Sequence, residues 1–427
     1  MKRNKFWAAL SKTLAAVTLV ATLVLVSGAW AQSTYKVLHR FTGTDGNSPS
    51  AGLIFDQSGN LYGTTRYGGG NGSGVVFELI PNQDGSWTES VVHSFTGSYD
   101  GYRPFATLIF DQAGSLYGTT QYGGAKRGGI VFELTPSAGG SWKESILYNF
   151  SDGNYGGEPL DSVVLDQTGN LYGTTTSGGN LGGCSATGCG VVFKLTPMPG
   201  GSWKETKLHR FTGGKDGGVP YAGLIFDQAG NLYGTTTSRG NLSYCNGTGC
   251  GVVFKLTPMP GGSWKETALH QFTGGKDGAS PYASLIFDQS GNLYGTTTSG
   301  GNLSYCNGTG CGVVFKLTPM PDGSWKETAL HRFTGGKDGA SPYARLIFDS
   351  AGNVYGTTWG GGAGGYGVVF KLTLGSDGKW REHVLHAFAA SGAHPHAGLI
   401  LDAAGNLYGT TEGDGSTTFG LVFEVTP

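Results

Sequence analysis

The sequence predicts an all-β fold, a seven-bladed β-propeller with four antiparallel strands per blade. Three observations lead to this prediction. A motif of the form Leu-Ile-Phe-Asp-x-x-Gly-Asn-Leu-Tyr-Gly-Thr-Thr recurs, with small variations, seven times along the 427 residues, and long internal repeats are typical of propellers and solenoids. Each repeat contains four segments with the two-residue periodicity of β-strands. Glycine contributes 79 residues, far more than its usual share, which indicates many tight connections.

One aspartate marks each repeat. The seven are Asp56, Asp111, Asp166, Asp227, Asp288, Asp349 and Asp402. Their spacing of 53 to 61 residues is enough for four short strands and their loops, which is one blade of a propeller. A linear β-solenoid is the structural alternative.

The fifth repeat shows the four predicted strands. The first covers residues 285–288 and ends in a tight turn at Gly291, and the others cover residues 292–297, 312–317 and 325–333. The longer connections, from the second strand to the third and from the fourth strand to the next repeat, leave on the same face. Because long loops usually carry function, this face is the predicted binding face.

The two ends of the chain are predicted to close the ring. Residues 35–41 match the fourth strand of a repeat but precede the first complete repeat, and the chain ends on a third strand at residues 421–425. Pairing of residues 35–41 beside residues 420–426 completes the last blade and removes an open sheet edge.

The N-terminus has the features of a signal peptide. Basic residues precede an apolar run over residues 14–26, and Ala29-Trp30-Ala31 follows as a small-x-small cleavage site. The apolar run is shorter than the roughly 20 residues of a membrane-spanning helix. We predict that residues 1–31 are removed and that residues 32–427 form a single propeller domain. The mature protein is then exported, whether secreted, periplasmic or at the cell surface.

The charge balance limits the possible partners. The formal net charge is −1, and only 13% of residues are charged, so there is no basic surface for nucleic acid. We expect no membrane association after signal cleavage, and a monomer.

The repeats also resemble a known family. Gly-Asn-Leu-Tyr-Gly-Thr-Thr followed by Gly-Val-Val-Phe-Lys-Leu-Thr-Pro is similar to the choice-of-anchor tandem repeat (GloVer) of exported bacterial proteins, over residues 35–427. The resemblance implies export and implies no established activity. Proteins of this family carry varied C-terminal anchors, and we expect this protein to depart from that pattern by having no anchor after Pro427.

All six cysteines occur in Cys-x4-Cys pairs, one pair in the loop after the second strand of three consecutive repeats. They are Cys184 with Cys189, Cys245 with Cys250, and Cys306 with Cys311. In an exported chain such pairs predict local disulfides. A zinc site is the alternative, and it needs four converging ligands.

Three sets of residues on the predicted binding face are candidates for ligand contact. The first is an aspartate before Gly-x-x-Pro, which either stabilises a turn, the favoured interpretation, or belongs to a ring of carboxylates that holds calcium. Its members are Asp45, Asp100, Asp216, Asp277 and Asp338, and Tyr155 and Ser391 replace them in the other two repeats.

The second set follows that proline and includes Tyr221, Tyr282 and Tyr343. Aromatic faces stack on sugar rings or pack between blades, and packing is the favoured interpretation. The third set follows Thr-Thr and differs between repeats, with Arg66, Trp359 and Glu412 as its distinctive members. The predicted ligand-binding residues are therefore Arg66, Trp359, Glu412, Tyr221, Tyr282 and Tyr343.

Neither a cofactor nor a metal is expected, although His383, His394 and His396 form an alternative transition-metal site. No specific catalytic motif is present, so no catalytic residue is assigned. The sequence favours a non-catalytic exported propeller whose loops bind a polysaccharide or a surface protein. The alternative is a hydrolase or lyase acting on a carbohydrate or lactone at the channel mouth, with Asp45, Asp100 or Glu412 as acid and base.

Overall fold

The structure is a computed structural model that describes residues 33–151, 156–184, 186–413 and 418–427. The predicted signal peptide and Tyr155 lie outside the described residues. The described chain forms seven antiparallel sheets, one per repeat, which confirms the predicted seven-bladed propeller. Its helical elements are three single 3-10 turns, Cys245–Gly247, Cys306–Gly308 and Ala390–Gly392. No described helix has the length and apolar character needed to cross a membrane.

The chain begins with β1 (Thr34–Arg40), which belongs to the last blade. Blade 1 consists of β2 (Ile54–Phe55), β3 (Leu61–Thr65), β4 (Val75–Pro81) and β5 (Trp87–Ser94). Blade 2 consists of β6 (Tyr102–Pro104), β7 (Ile109–Phe110), β8 (Leu116–Tyr122), β9 (Arg127–Pro136) and β10 (Trp142–Ser151). Blade 3 consists of β11 (Val164–Leu165), β12 (Leu171–Thr175), β13 (Val191–Pro197) and β14 (Trp203–Arg210). Blade 2 has the extra short strand β6, which pairs with β8.

In every blade the strands that follow the loop from the preceding blade are arranged in chain order from the axis outward, and the other four blades have the same arrangement. Their strands are β15 (Ile225–Phe226), β16 (Leu232–Thr236), β17 (Val252–Pro258) and β18 (Trp264–Gln271); β19 (Ile286–Phe287), β20 (Leu293–Thr297), β21 (Val313–Pro319) and β22 (Trp325–Arg332); β23 (Ile347–Phe348), β24 (Val354–Thr358), β25 (Val368–Leu374) and β26 (Trp380–Ala387); and β27 (Ile400–Leu401), β28 (Leu407–Thr411) and β29 (Leu421–Thr426), which β1 completes.

The N-terminal strand closes the ring, as predicted. β1 pairs antiparallel with β29, from Thr34 opposite Thr426 to Arg40 opposite Leu421. The sheet of blade 7 therefore contains strands from both ends of the described chain, and neither of these ends leaves an unpaired outer strand.

The innermost strand is shorter than predicted. In blade 5 it covers Ile286–Phe287 rather than residues 285–288, because Asp288 already belongs to the turn. Its carboxylate accepts hydrogen bonds from the backbone N–H groups of Ser290 and Asn292, both at 2.9 Å. This turn directs the chain into β20.

The hydrophobic core lies between neighbouring sheets. At the junction of blades 4 and 5, Phe272 packs edge-on against Phe315 with ring centroids 5.2 Å apart, and Tyr233 packs against Phe287 at 5.1 Å. The hydroxyl of Thr235 donates to the carbonyl of Ala283 at 3.3 Å. Equivalent contacts recur around the ring, so the Tyr-Gly-Thr-Thr motif joins each blade to the next.

The glycine of that motif is required by the packing. A Cβ at Gly295 would lie 2.6 Å from Cζ of Phe315, which is closer than carbon atoms pack. The absence of a side chain therefore lets the buried phenylalanine of β21 lie across β20.

The six cysteines form three disulfides, Cys184–Cys189, Cys245–Cys250 and Cys306–Cys311. Their Cα separations of 5.1, 5.5 and 5.4 Å are normal for disulfides. Cys189, Cys250 and Cys311 are fully buried, so each bridge ties an exposed loop to the blade beneath it.

Candidate functional site

The innermost segments of the blades surround a cavity of about 370 Å³ on the ring axis. Its wall is built in layers, since alternate residues of an extended segment point the same way. The layer nearest the binding face, which we call the mouth layer, consists of the residue that follows the loop proline in each blade. Its members are Ser50, Phe105, Leu160, Tyr221, Tyr282, Tyr343 and His396.

Five of these side chains form a closed ring of aromatic contacts. The centroid distances are 6.1 Å from Phe105 to Tyr221, 4.9 Å from Tyr221 to Tyr282, 5.2 Å from Tyr282 to Tyr343, 4.9 Å from Tyr343 to His396 and 5.3 Å from His396 back to Phe105. The three tyrosines and His396 remain partly exposed. The aromatic ring therefore narrows the mouth of the cavity and borders it with apolar surface.

The circle of five aromatic side chains is uncharged at neutral pH. Burial raises the pKa of Tyr221 to about 12, against a smaller opposite effect of Arg66, and it also raises the pKa values of Tyr282 and Tyr343. Burial lowers the pKa of His396 below its usual value, although Glu412 acts in the opposite direction. The phenols and the imidazole can therefore offer hydrogen bonds without carrying charge.

Two of the predicted ligand-binding residues contact the mouth layer from the binding face. The guanidinium of Arg66 lies 5.3 Å from the ring centroids of both Tyr67 and Phe105, and its Nε is buried without a hydrogen-bond partner among the described residues. The carboxylate of Glu412 accepts a hydrogen bond from Oγ of Ser50 at 2.6 Å. These two side chains place charge at the mouth.

Trp359 lies apart from the cavity wall. Its side chain is 39% exposed, and its indole stacks on the ring of His394 with centroids 4.1 Å apart. The Nδ1 atom of His394 lies 2.9 Å from the carbonyl oxygen of Trp359. Of the six predicted residues, the structure thus brings five together at the mouth and places Trp359 on the surrounding surface.

Asp161 also lines the cavity, although no sequence motif predicts it. Every other repeat has alanine at this position, which directly follows the mouth layer, so a comparison of the repeats contains the signal. The carboxylate of Asp161 accepts hydrogen bonds from the N–H groups of Ser162 and Gly223, both at 2.6 Å, and from Oγ of Ser284 at 2.8 Å. It therefore bridges blades 3, 4 and 5 across the cavity wall.

Arg345 is a second lining residue that no motif predicts. It belongs to the second layer of the wall, two residues beyond the mouth layer, which consists of Gly52, Thr107, Ser162, Ser284, Arg345 and Gly398; Gly223 has the same position in blade 4. Arg345 is exposed to the cavity and makes no hydrogen bond or ion pair with the described part of the chain. Residues 237–297 and 298–358 align without gaps and differ at only seven of 61 positions. One of these seven positions is Ser284 in the first copy and Arg345 in the second.

The aspartates of the first set do not line the cavity. Oδ1 of Asp277 accepts a hydrogen bond from Oγ1 of Thr273 at 2.5 Å, Oδ2 accepts one from the Thr273 N–H at 3.0 Å, and Oδ2 lies 3.2 Å from Nε2 of His270 on the outer strand. Burial raises the pKa of Asp277, but the hydrogen bonds from His270 and Thr273 outweigh it and lower the pKa overall. Such pairing fits the turn interpretation.

Two clusters in the described part of the chain bring three possible metal ligands within 4.8 Å of one another. They are His39 with Asp45 and Glu89, and His93 with Asp100 and Glu144. Both lie at junctions between outer strands, away from the cavity wall. Neither includes His383, His394 or His396, so the described residues do not bring those three histidines together.

The comparisons with known proteins identify the family. The family model described as the Gloeobacter/Verrucomicrobia repeat matches residues 24–248, 143–322 and 243–427. The chain belongs to the Gloeobacter/Verrucomicrobia repeat family. This agrees with the resemblance to the GloVer repeat and with the seven repeated blades. No curated protein matches the chain.

Two solved structures are similar to this member of the repeat family. One is a proposed oxidoreductase (glucose dehydrogenase) from Thermus thermophilus, with 15% identity, coverage of 92% of this chain and 100% of that one, and a TM-score of 0.41. The other is a protein of unknown function from Dyadobacter fermentans, with 10% identity, coverage of 92% and 98%, and a TM-score of 0.41. At these values they indicate neither a ligand nor an activity for this chain.

Proposed function

We propose that the protein is an exported, non-catalytic binding propeller that takes a sugar residue of a carbohydrate at the mouth of its central cavity. One observation carries the proposal. Five aromatic side chains from five blades form a closed, partly exposed ring around the cavity. Aromatic rings present flat apolar surface together with polar edges, and a sugar ring has a matching apolar face and a rim of hydroxyl groups.

The size and polarity of the site support a small ligand or the end of a chain. The cavity volume of about 370 Å³ lies at the lower end of the roughly 300–1,000 Å³ that is common for small-molecule sites. The phenols of Tyr282 and Tyr343 and the carboxylate of Glu412 supply donors and acceptors near the aromatic surface. Three disulfides support an oxidising, extracytoplasmic location for the mature protein.

A glycan array followed by calorimetric titration of the mature protein tests the proposal. Tyr282→Leu is the sharpest variant, because Leu160 occupies the same position in blade 3 and shows that this layer accepts leucine. We expect the variant to weaken the affinity for the selected glycan by about tenfold, since stacking and a phenol contact are lost. The matched control is Tyr305→Ala in an exposed disulfide loop, which should leave the affinity unchanged.

Three results would contradict the proposal. The first is an array on which no glycan binds. The second is a Tyr282→Leu variant that melts like the wild type and binds with unchanged affinity. The third is turnover of substrates in a parallel panel of hydrolase and lyase assays, which would favour the enzymatic alternative.

A further inference from the structure

Among the described residues, the wall of the cavity contains one cation without a partner. Of the residues that line the cavity in this part of the chain, Asp161 has the one carboxyl side chain and Arg345 the one guanidinium side chain. The carboxylate of Asp161 is occupied by three hydrogen bonds to Ser162, Gly223 and Ser284. No ion pair within the described chain joins it to Arg345. The guanidinium of Arg345 is therefore available to a ligand.

The other arginine at the site is engaged differently. Arg66 lies over the ring faces of Tyr67 and Phe105, where cation–π attraction holds its guanidinium at the mouth. Arg345 lies two residues beyond Tyr343 along an extended segment, which is about 7 Å deeper into the cavity. Gly398 of the neighbouring blade packs directly against Arg345, because a Cβ at Gly398 would lie 3.4 Å from Cβ of Arg345, and the Arg345 side chain lines the cavity.

An unpaired guanidinium in a confined cavity favours an anionic ligand group. Its planar array of N–H donors matches the two oxygens of a carboxylate, and such charge-assisted pairs are stronger than neutral hydrogen bonds. The hydroxyl oxygens of an uncharged sugar can also accept hydrogen bonds from Arg345, but these bonds are weaker than those to a charged carboxylate. The aromatic ring at the mouth and the cation below it therefore favour a ligand with a ring at one level and an acidic group at the next.

We infer that the carbohydrate bound at the mouth ends in an acidic sugar of the uronic acid class, whose carboxylate pairs with Arg345. The inference rests on the proposed carbohydrate binding and adds the charge of the ligand to it. Tyr282 and Tyr343 contact the sugar ring, and Arg345 contacts the carboxylate deeper in the cavity. Arg345 is thus the residue that distinguishes an acidic sugar from its neutral counterpart.

Calorimetric titration of the mature protein with paired oligosaccharides tests this assignment. One member of each pair ends in glucuronate or galacturonate, and the other ends in glucose or galactose. We expect the wild type to bind the acidic member at least about tenfold more tightly, because charge-assisted hydrogen bonds contribute that much. Arg345→Ser should abolish the preference and leave the affinity for the neutral member within about twofold.

The repeats supply matched controls. Arg345→Ser introduces the residue that the preceding blade carries as Ser284, so the fold has already accommodated it. Arg332→Gln removes a positive charge in the same way on an outer strand, where the preceding blade has Gln271. The Nε atom of Arg332 donates to the carbonyl of Lys276 at 2.8 Å, and the amide of Gln271 makes the equivalent contact with Lys215 at 2.9 Å. Arg332→Gln should therefore retain the full preference.

The possible outcomes separate the two proposals. Equal wild-type affinity for acidic and neutral members, or a preference that survives Arg345→Ser, would overturn the inference and leave the carbohydrate site standing. A preference lost in Arg66→Gln but retained in Arg345→Ser would also overturn it, since the acidic group would then lie at the mouth. Failure of every tested oligosaccharide to bind would overturn the inference, and the glycan array would then decide by itself whether the protein binds carbohydrate.

Discussion

Replacing Phe41 by alanine tests whether the ring is closed in solution through the N-terminal strand. Phe41 follows β1 and is only 4% exposed. Its ring packs against Phe77 of blade 1 with centroids 5.1 Å apart. The same contact joins neighbouring blades elsewhere, as between Phe272 and Phe315 at 5.2 Å. Phe41 therefore joins blade 7 to blade 1 just as Phe272 joins blade 4 to blade 5.

The expected size of the effect follows from this equivalence. Truncation of a buried phenylalanine costs about 3–5 kcal/mol, because both apolar contact and packing are lost. With an unfolding entropy of about 2.1 cal/mol/K per residue, this loss lowers the melting temperature of a chain of this length by about 4–6 °C. Phe41→Ala and Phe272→Ala should give shifts of similar size, since their environments are alike.

Differential scanning calorimetry of the mature protein provides the measurement. Tyr99→Ala is the control, because the Tyr99 side chain is 75% exposed and its removal should not shift the melting temperature. The closed ring would be refuted if Phe272→Ala melted several degrees lower while Phe41→Ala melted like the wild type. That result would mean that the junction of blades 7 and 1 carries no packing energy.

Three further predictions concern the blades and their loops. Unreduced mature protein should contain no titratable thiol, and reduction should cost about 2 kcal/mol for each small disulfide loop; six free thiols would contradict the three disulfides. Burial raises the pKa of Glu266 from 4.5 to about 7, with smaller effects of His209 and Asp216. Because the folded state then holds the proton more tightly than the unfolded chain, this group stabilises fully below about pH 4.5 and loses that contribution as the pH rises through 7. Glu266→Gln should therefore reduce the fall in melting temperature between pH 5 and pH 8, and an unchanged pH profile would contradict the raised pKa. Gly295→Ala should destabilise by about 1–3 kcal/mol through overpacking against a core phenylalanine, measured by urea denaturation against Gly275→Ala, whose Cβ would meet only a threonine hydroxyl at 3.4 Å.

The blade architecture could be predicted from sequence because its determinants are local and repeated. Asp288 forms its turn with residues that follow within four positions. The alternation of buried and exposed residues assigns the longer strands directly. The innermost strand was harder to delimit, because its two paired residues lie between a long loop and the turn at Asp288. Its length depends on hydrogen bonds that the residue pattern alone does not contain.

The composition of the cavity wall could be predicted only in part. Tyr221, Tyr282 and Tyr343 stand out because they occupy one repeat position and are aromatic, but the choice between packing and ligand contact depends on how far that position lies from the axis. In the structure the tyrosines contact one another and border the cavity, so packing is observed and ligand contact stays a prediction. Arg345 and Asp161 follow no motif. A comparison of the repeats marks both as exceptions, but only the structure shows that they line the wall.

These two residues also show where a repeated ring can carry specificity. Seven identical blades would surround the axis with the same side chains at equal intervals, so a ligand on the axis would experience seven equivalent orientations. A sugar has no such symmetry, and a single orientation is favoured only by side chains that occur once. At this site the carboxyl and guanidinium groups that occur once belong to Asp161 and Arg345 in the wall and to Arg66 and Glu412 at the mouth. Substitution of Arg345 by the serine of the neighbouring blade should therefore remove selectivity more strongly than it removes stability.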